Sequence, residues 1–140
     1  MMTRHFHRLL TFAGAALVAA AAAVGASAAE PIKIGSFLTV SGPASFLGDP
    51  EKKTLELYVE RINAAGGVLG RQLQLTVYDT GGDAKQAATF ARRLIEEDKV
   101  DFLIGGSSTG DTMAAVPIIE RAEIPFISLG GASVIVDPVK

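Results

Sequence analysis

The stretch "VDFLIGGSSTGDT", Val100–Thr112, decides how the chain is read. Val100 to Ile104 is apolar except for Asp101 and reads as a short strand. Gly105 to Gly110 is a loop of glycine and hydroxyl residues. From Asp111 to Ala122 the spacing turns helical, with Met113, Val116, Ile119 and Ala122 facing inward. Pro117 falls inside that helix, where it removes one backbone bond and bends the axis. Strand, small-residue loop and helix in this order make one step of an α/β fold. The loop itself has two readings. Gly106-Ser107-Ser108-Thr109-Gly110 spells G-x-S-x-G, the turn that presents a nucleophilic serine. The same residues at the start of a helix can hold an anion on backbone N–H groups without reacting.

The same step recurs on both sides of this stretch. Ile32 to Leu38 reads as a strand, and Ser41-Gly42-Pro43 as a turn. Asp49 and Pro50 open a helix with Leu55, Tyr58, Val59 and Ile62 at helical spacing, ended by Gly66-Gly67. Gln72 to Tyr78 alternates polar and apolar residues as a strand does. Asp83 with Gln86 three residues on looks like a capping box. It opens a helix whose face of Ala84, Ala87, Ala88, Ala91, Leu94 and Ile95 can pack closely on a sheet. Ile124 to Leu129 is a fourth strand, followed by the small residues Gly130-Gly131-Ala132-Ser133. The order β-α-β-α-β-α-β predicts an α/β fold, a parallel sheet with helices on both faces. In such sheets ligands bind beyond the carboxyl ends of the strands, where strand order reverses. The three loops expected at those ends are Thr39–Leu47, Gly105–Gly110 and Gly130–Ser133.

The first 29 residues read as a secretory signal peptide rather than as part of the fold. Arg4, His5, His7 and Arg8 precede an apolar run from Leu9 to Val24, and Ala26-Ser27-Ala28 fits a cleavage site near Ala28 or Ala29. The run is short for a membrane span, which needs about 20 residues. Cleavage removes two of the 13 basic residues and neither shifts nor reduces the 15 acidic ones. A mildly acidic surface without a basic run argues against nucleic acid as a partner. With no cysteine there is no attachment point for a lipid anchor, so the product is expected to be freely soluble outside the cytoplasmic membrane.

The chemistry then narrows. A serine nucleophile needs a base, and both histidines, His5 and His7, lie in the leader. None of the lysines falls in a loop at the expected site, Lys140 excepted. G-x-S-x-G is also a weak signal in a chain with 15 glycines. No G-x-G-x-x-G follows the first strand and no G-K-[ST] occurs, so neither a dinucleotide nor a nucleotide cofactor is expected. Without cysteine or mature histidine, no metal site is expected either. What remains is binding of an anion or zwitterion by helix-start N–H groups and short hydroxyls, with Ser108 or Thr109 also able to serve as a helix cap.

Ile32-Lys33-Ile34-Gly35, Ser41-Gly42-Pro43, Ile62-Asn63-Ala64-Ala65-Gly66-Gly67-Val68-Leu69-Gly70-Arg71, Tyr78-Asp79, Ile104-Gly105-Gly106-Ser107-Ser108-Thr109 and Ile124-Pro125-Phe126-Ile127-Ser128 together carry a family resemblance. From Pro31 to Lys140 the chain resembles the start of a type I periplasmic solute-binding protein, of the leucine/isoleucine/valine-binding group of ABC importers. The resemblance implies two α/β lobes closing on a small ligand, with residues 30–140 forming the N-terminal part of the first lobe and the second lobe absent. It implies binding without catalysis, no cofactor, and delivery of an amino acid or related small carboxylate or amide to an ABC permease of the inner membrane. It places ligand contacts at Thr109 with Ser108 beside it, at Gly130 and Gly131, at Ala132 where a threonine is common, and at Leu47 where an aromatic is common. Asp111 would strengthen the helix start, or repel a ligand carboxylate if it faced the site. An extracytoplasmic sensor domain on the same fold is the alternative, and a secreted serine hydrolase a remote one.

Overall fold

The computed structural model describes residues 29–137. The leader reading falls on residues outside that range. Four strands, β1 (Ile32–Leu38), β2 (Leu73–Asp79), β3 (Phe102–Gly105) and β4 (Phe126–Ser128), alternate with three helices, α1 (Ser45–Ala64), α2 (Ala84–Glu96) and α3 (Thr109–Ala122). A short 3-10 turn, Ser133–Ile135, follows β4. All strand pairs are parallel and their order is β2-β1-β3-β4. Strand order therefore reverses between β1 and β3, as the sequence reading required of a doubly wound sheet.

The two faces differ. Gly35, Leu103 and Phe126 share one row across the sheet, and Phe37 lies in the next row on the same face. With Ala87, Ala91 and Leu94 of α2 and Ala115 and Ile119 of α3, Phe37 and Leu103 form the core. Ala87 and Ala91 are fully buried, which lets α2 lie close to the strands. Gly35 is needed for that closeness, since a Cβ there would stand 2.7 Å from a Leu103 methyl. The opposite face carries Ile34, Ser36 and Leu38 beneath α1. The row Val77, Ser36, Ile104, Ile127 runs out from under that helix, and Ile127 is 57% exposed.

The turn block after α1 has a definite geometry. Val68 and Arg71 exchange both backbone hydrogen bonds (2.8 and 3.0 Å) around Leu69 and Gly70, each with positive φ. That is the mirror-image turn which glycine favours at its second central position. Asn63 then acts as a piece of backbone. Its amide donates to the Leu73 carbonyl at 2.8 Å and its oxygen accepts from the Leu73 N–H at 2.7 Å, fixing the end of α1 to the start of β2.

Several element bounds depart from the sequence reading. Helix α1 starts at Ser45, not at Asp49, because Gly42 O and Ala44 O accept from Ser45 N–H and Leu47 N–H and turn the chain straight into a helix. Pro50 consequently sits in the second turn. Asp83 caps α2 through the Lys85 N–H (2.7 Å), but its own N–H goes to Thr80 O, so the reciprocal half of a capping box is not made. Strands β3 and β4 are narrower than expected, and α3 begins two residues earlier, at Thr109. The buried stripe of α3 is Asp111, Thr112, Ala115, Val116 and Ile119. Ala122 is exposed, since the helix ends there and Glu123 turns away in a left-handed conformation.

Candidate ligand site at the strand-order reversal

The crevice between the ends of β1 and β3 is built from backbone first. Gly106 has φ +73°, and a Cβ on it would lie 2.1 Å from Thr112 Oγ1, so only glycine fits the exit of β3. The Thr112 hydroxyl donates to Gly106 O at 3.1 Å, and Gly106 N–H bonds Phe37 O at 2.9 Å. The loop is thus tied to both β1 and α3. On the other side of β1, Gly48 of α1 is buried, and a Cβ there would stand 2.2 Å from Thr39 O.

Asp111 is the hidden centre of the arrangement. It is 1% exposed, and Oδ2 accepts from the hydroxyls of Thr39 (2.8 Å) and Thr80 (3.1 Å). Those threonines follow β1 and β2, so one carboxylate joins the ends of two strands to the first turn of α3. Asp111 therefore points into the protein, which resolves the ambiguity left by the sequence. Its charge lies at the positive end of a helix, a favourable place for an anion. Burying it without a cation partner is tolerable because its oxygen is hydrogen-bonded.

A second carboxylate reaches the same loop from α1. Ser107, only 5% exposed, donates to Glu51 Oε2 at 2.5 Å and accepts from Thr39 N–H at 3.0 Å. Burial pushes the Glu51 carboxyl above its ordinary value, and the Ser107 hydrogen bond pulls it back in part. A third carboxylate, Asp79, closes the outer rim. Its Oδ1 accepts from the amides of Val40 (2.9 Å), Ser41 (3.1 Å) and Gly81 (2.9 Å). Desolvation would raise this carboxyl, but hydrogen bonds from the Ser41 hydroxyl and from the Gly81, Ser41 and Val40 amides hold it below the usual range.

The residues singled out from the sequence fall into two groups. Ser108 is the N-cap of α3, its hydroxyl accepting from Asp111 N–H at 3.1 Å. Thr109 occupies the first helical position and is exposed. Gly130 lies against this helix start, since an added Cβ would be 3.3 Å from Ser108 O and 2.8 Å from Thr112 Oγ1. The Gly130 N–H is already used by Ser128 Oγ (3.1 Å). Gly131 is exposed, with open space where a side chain would be, and Ala132 leads into the 3-10 turn. Leu47 stands apart from these, on the first turn of α1 and 36% exposed. Its helix is linked to them through the Gly48 contact with Thr39, the Thr39 bonds to Asp111 and Ser107, and the Glu51 bond to Ser107. Among the described residues no group of acidic or histidine side chains is spaced to hold a metal.

The residues that sequence reasoning missed are Glu51, Asp111 as an inward anchor, Thr39 and Thr80. Glu51 was hidden because it falls among charged residues of an amphipathic helix. Thr39 and Thr80 share one legible signal, in that each directly follows a strand at its carboxyl end.

Comparison with known proteins agrees with this architecture. A family model described as periplasmic binding protein matches residues 31–138. The chain is 41% identical over 116 residues to Leu/Ile/Val-binding protein homolog 7 of Brucella abortus, covering 83% of this chain and 29% of that protein. Leu/Ile/Val-binding protein homolog 8 of the same organism is 36% identical over 121 residues, covering 86% of this chain and 30% of its own length. Among solved structures, the branched-chain amino acid transporter substrate binding protein LivJ of Streptococcus pneumoniae, in complex with isoleucine, superposes with a TM-score of 0.74 at 32% identity. That match covers 76% of this chain and 31% of LivJ. The chain thus spans about three tenths of the length of these relatives. The family is one of solute-binding proteins and implies a place outside the cytoplasm. By the match over residues 31–138 and the identity to its relatives, this chain belongs to the periplasmic binding protein family, within its Leu/Ile/Val-binding group.

Proposed function

We propose that this chain contributes the first-lobe half of the ligand grip in the substrate-binding component of an ABC importer. Its ligand is a branched-chain amino acid or a related small carboxylate or amide. The observation that carries this reading is the start of α3 opening at the β1/β3 reversal, with Thr109 exposed on it and Gly130 against it. Free N–H groups of a helix start carry a partial positive charge, which suits a carboxylate. The Thr109 hydroxyl adds one hydrogen bond, the Gly130–Ala132 backbone supplies polar groups opposite, and Leu47 faces the aliphatic part. Asp111 does not oppose the ligand by contact, being buried beneath the helix start. The exported protein works in the periplasm, after cleavage near Ala28 or Ala29, and hands its ligand to a permease in the inner membrane.

The test is a thermal-shift and titration series on the full-length protein with L-isoleucine, L-leucine, an aromatic acid and an amide. A ligand selective for the folded state raises its stability. One of these solutes is expected to raise the melting temperature, and Thr109→Ala to weaken that solute by about tenfold, the worth of one hydrogen bond to a charged group. No shift with any of the four classes would overturn the assignment.

A further inference from the structure

We propose that Glu51 is a positioning residue of the ligand site, holding the β3–α3 loop in its binding shape through the Ser107 hydroxyl. The assignment rests on the function proposed above for that loop. With Glu51 ionised, the hydrogen-bond directions are fixed. Thr39 N–H must donate, and it donates to Ser107 Oγ at 3.0 Å. The single Ser107 proton is then free for an acceptor on the other side, and Glu51 Oε2 takes it at 2.5 Å. The line from backbone N–H through hydroxyl to carboxylate therefore spans β1, the loop and α1 in one direction. Ser107 immediately precedes Ser108, the cap of α3, and Thr109, its first residue. Loss of the Glu51 acceptor frees the Ser107 rotamer and with it the entry angle of α3.

The carboxylate is well braced. Glu51 lies three residues beyond Gly48, on the same side of α1, and Gly48 sits in backbone contact with Thr39. Its side chain thus starts from a point fixed against the very residue whose N–H begins the line. Glu51 also borders a shallow, mostly apolar cleft with Pro50, Leu55 and Leu129. Glu51 makes its loop contact at Ser107, not at Ser108 or Thr109. It acts on them through Ser107.

The experiment uses the full-length protein with Glu51→Ala, Glu51→Gln, Ser107→Ala and the Glu51→Ala/Ser107→Ala pair. Two readouts are taken, affinity for L-isoleucine and exchange of the hydrogen-bonded amides of Thr39, Asp111 and Thr112, which are held by Ser107 Oγ, Ser108 Oγ and Ser108 O. Glu51→Ala is expected to speed exchange at those three amides at least tenfold while exchange in α2 stays unchanged. Affinity is expected to fall by a similar factor. Glu51→Gln, which keeps an acceptor oxygen, is expected to restore most of both. The double variant should be no worse than the worse single one, because both changes break the same line. Unchanged exchange at Thr39, Asp111 and Thr112 in folded Glu51→Ala, or additive losses in the double variant, would overturn the proposal. If the parent protein does not bind L-isoleucine, affinity is read with whichever of the four solutes it does bind; if it binds none, the functional reading falls and the exchange readout alone decides the role of Glu51.

Discussion

At the scale of single residues, the two inward carboxylates differ in kind. Asp111 is a buried acceptor shared by two hydroxyls, so its removal takes an acceptor from both, leaves Thr39 with only the Thr80 hydroxyl, and opens a small void. Asp111→Ala is expected to cost about 2–3 kcal/mol of stability, measured by urea denaturation. Asp111→Asn, which keeps the volume and one acceptor oxygen, is expected to cost less than half of that. Equal losses in the two variants would show that charge, not hydrogen bonding, is what the site needs. Glu51 and Asp79 give opposite pH signatures. Glu51 is raised by burial, so the folded state binds its proton more tightly than the unfolded chain does. Stability then declines as pH rises from the ordinary Glu value through the folded one, and the decline is complete above it. Asp79 is lowered, so its contribution is present above the ordinary Asp value and lost as pH falls through its folded one. Melting curves of the parent and Glu51→Gln from about pH 4 to pH 7 should therefore diverge, with Glu51→Gln gaining on the parent as pH rises. Parallel curves would contradict the burial of this carboxyl.

Among the elements, α3 tests the double use of a hydroxyl pair. Ser108 caps the helix and Thr109 begins it, so the two have separable roles. Ser108→Ala is expected to lower stability by about 1 kcal/mol, the usual value of a side-chain cap, and Ser108→Asp to recover it. Thr109→Ala should leave stability nearly unchanged, as befits an exposed first position. A stability loss at Thr109 as large as that at Ser108 would merge the two roles. The type of the four strands and three helices was legible from short apolar runs, the alternation from Gln72 to Tyr78 and helical spacing, whereas the 3-10 turn Ser133–Ile135 was not. Element bounds were less so, and for local reasons. The start of α1 was hidden by Asp49-Pro50, which resembles a helix opening but follows a turn that had already begun the helix at Ser45. The inward face of α3 was misjudged at Ala122 because spacing alone cannot tell where the sheet beneath ends. That Ser108, Thr109 and Gly130 lie together was legible because their loops sit at strand ends in a parallel sheet. Glu51 and Asp111 were not, since a carboxylate serving an internal hydroxyl has no local sequence signal. Only the strand order brings residues 51 and 107 together.

For the molecule as a whole, the sheet is covered unevenly. The face bearing α2 and α3 closes over a continuous core, whereas α1 covers only the β1–β2 half of the other face. Parallel sheets are normally buried on both sides. Ile127 at 57% exposure and Leu129 at 37% mark the open half. The chain as given is expected to bind an apolar fluorescent dye on this half, and Ile127→Ser to weaken that binding without lowering the melting temperature. Dye binding unaffected by Ile127→Ser would place the open surface elsewhere.

The contact at Gly48 has a consequence for how such a site can diversify. An added Cβ at that position would stand 2.2 Å from a main-chain oxygen that cannot swing aside. The first helix is therefore at a hard stop, already as near the end of the first strand as atoms permit. Clearance on this side of the crevice cannot be narrowed by moving the helix inward. On the function proposed above, a tighter fit here has to come from exchanging what is mounted on the helix, at positions 46 and 47, rather than from shifting its seat.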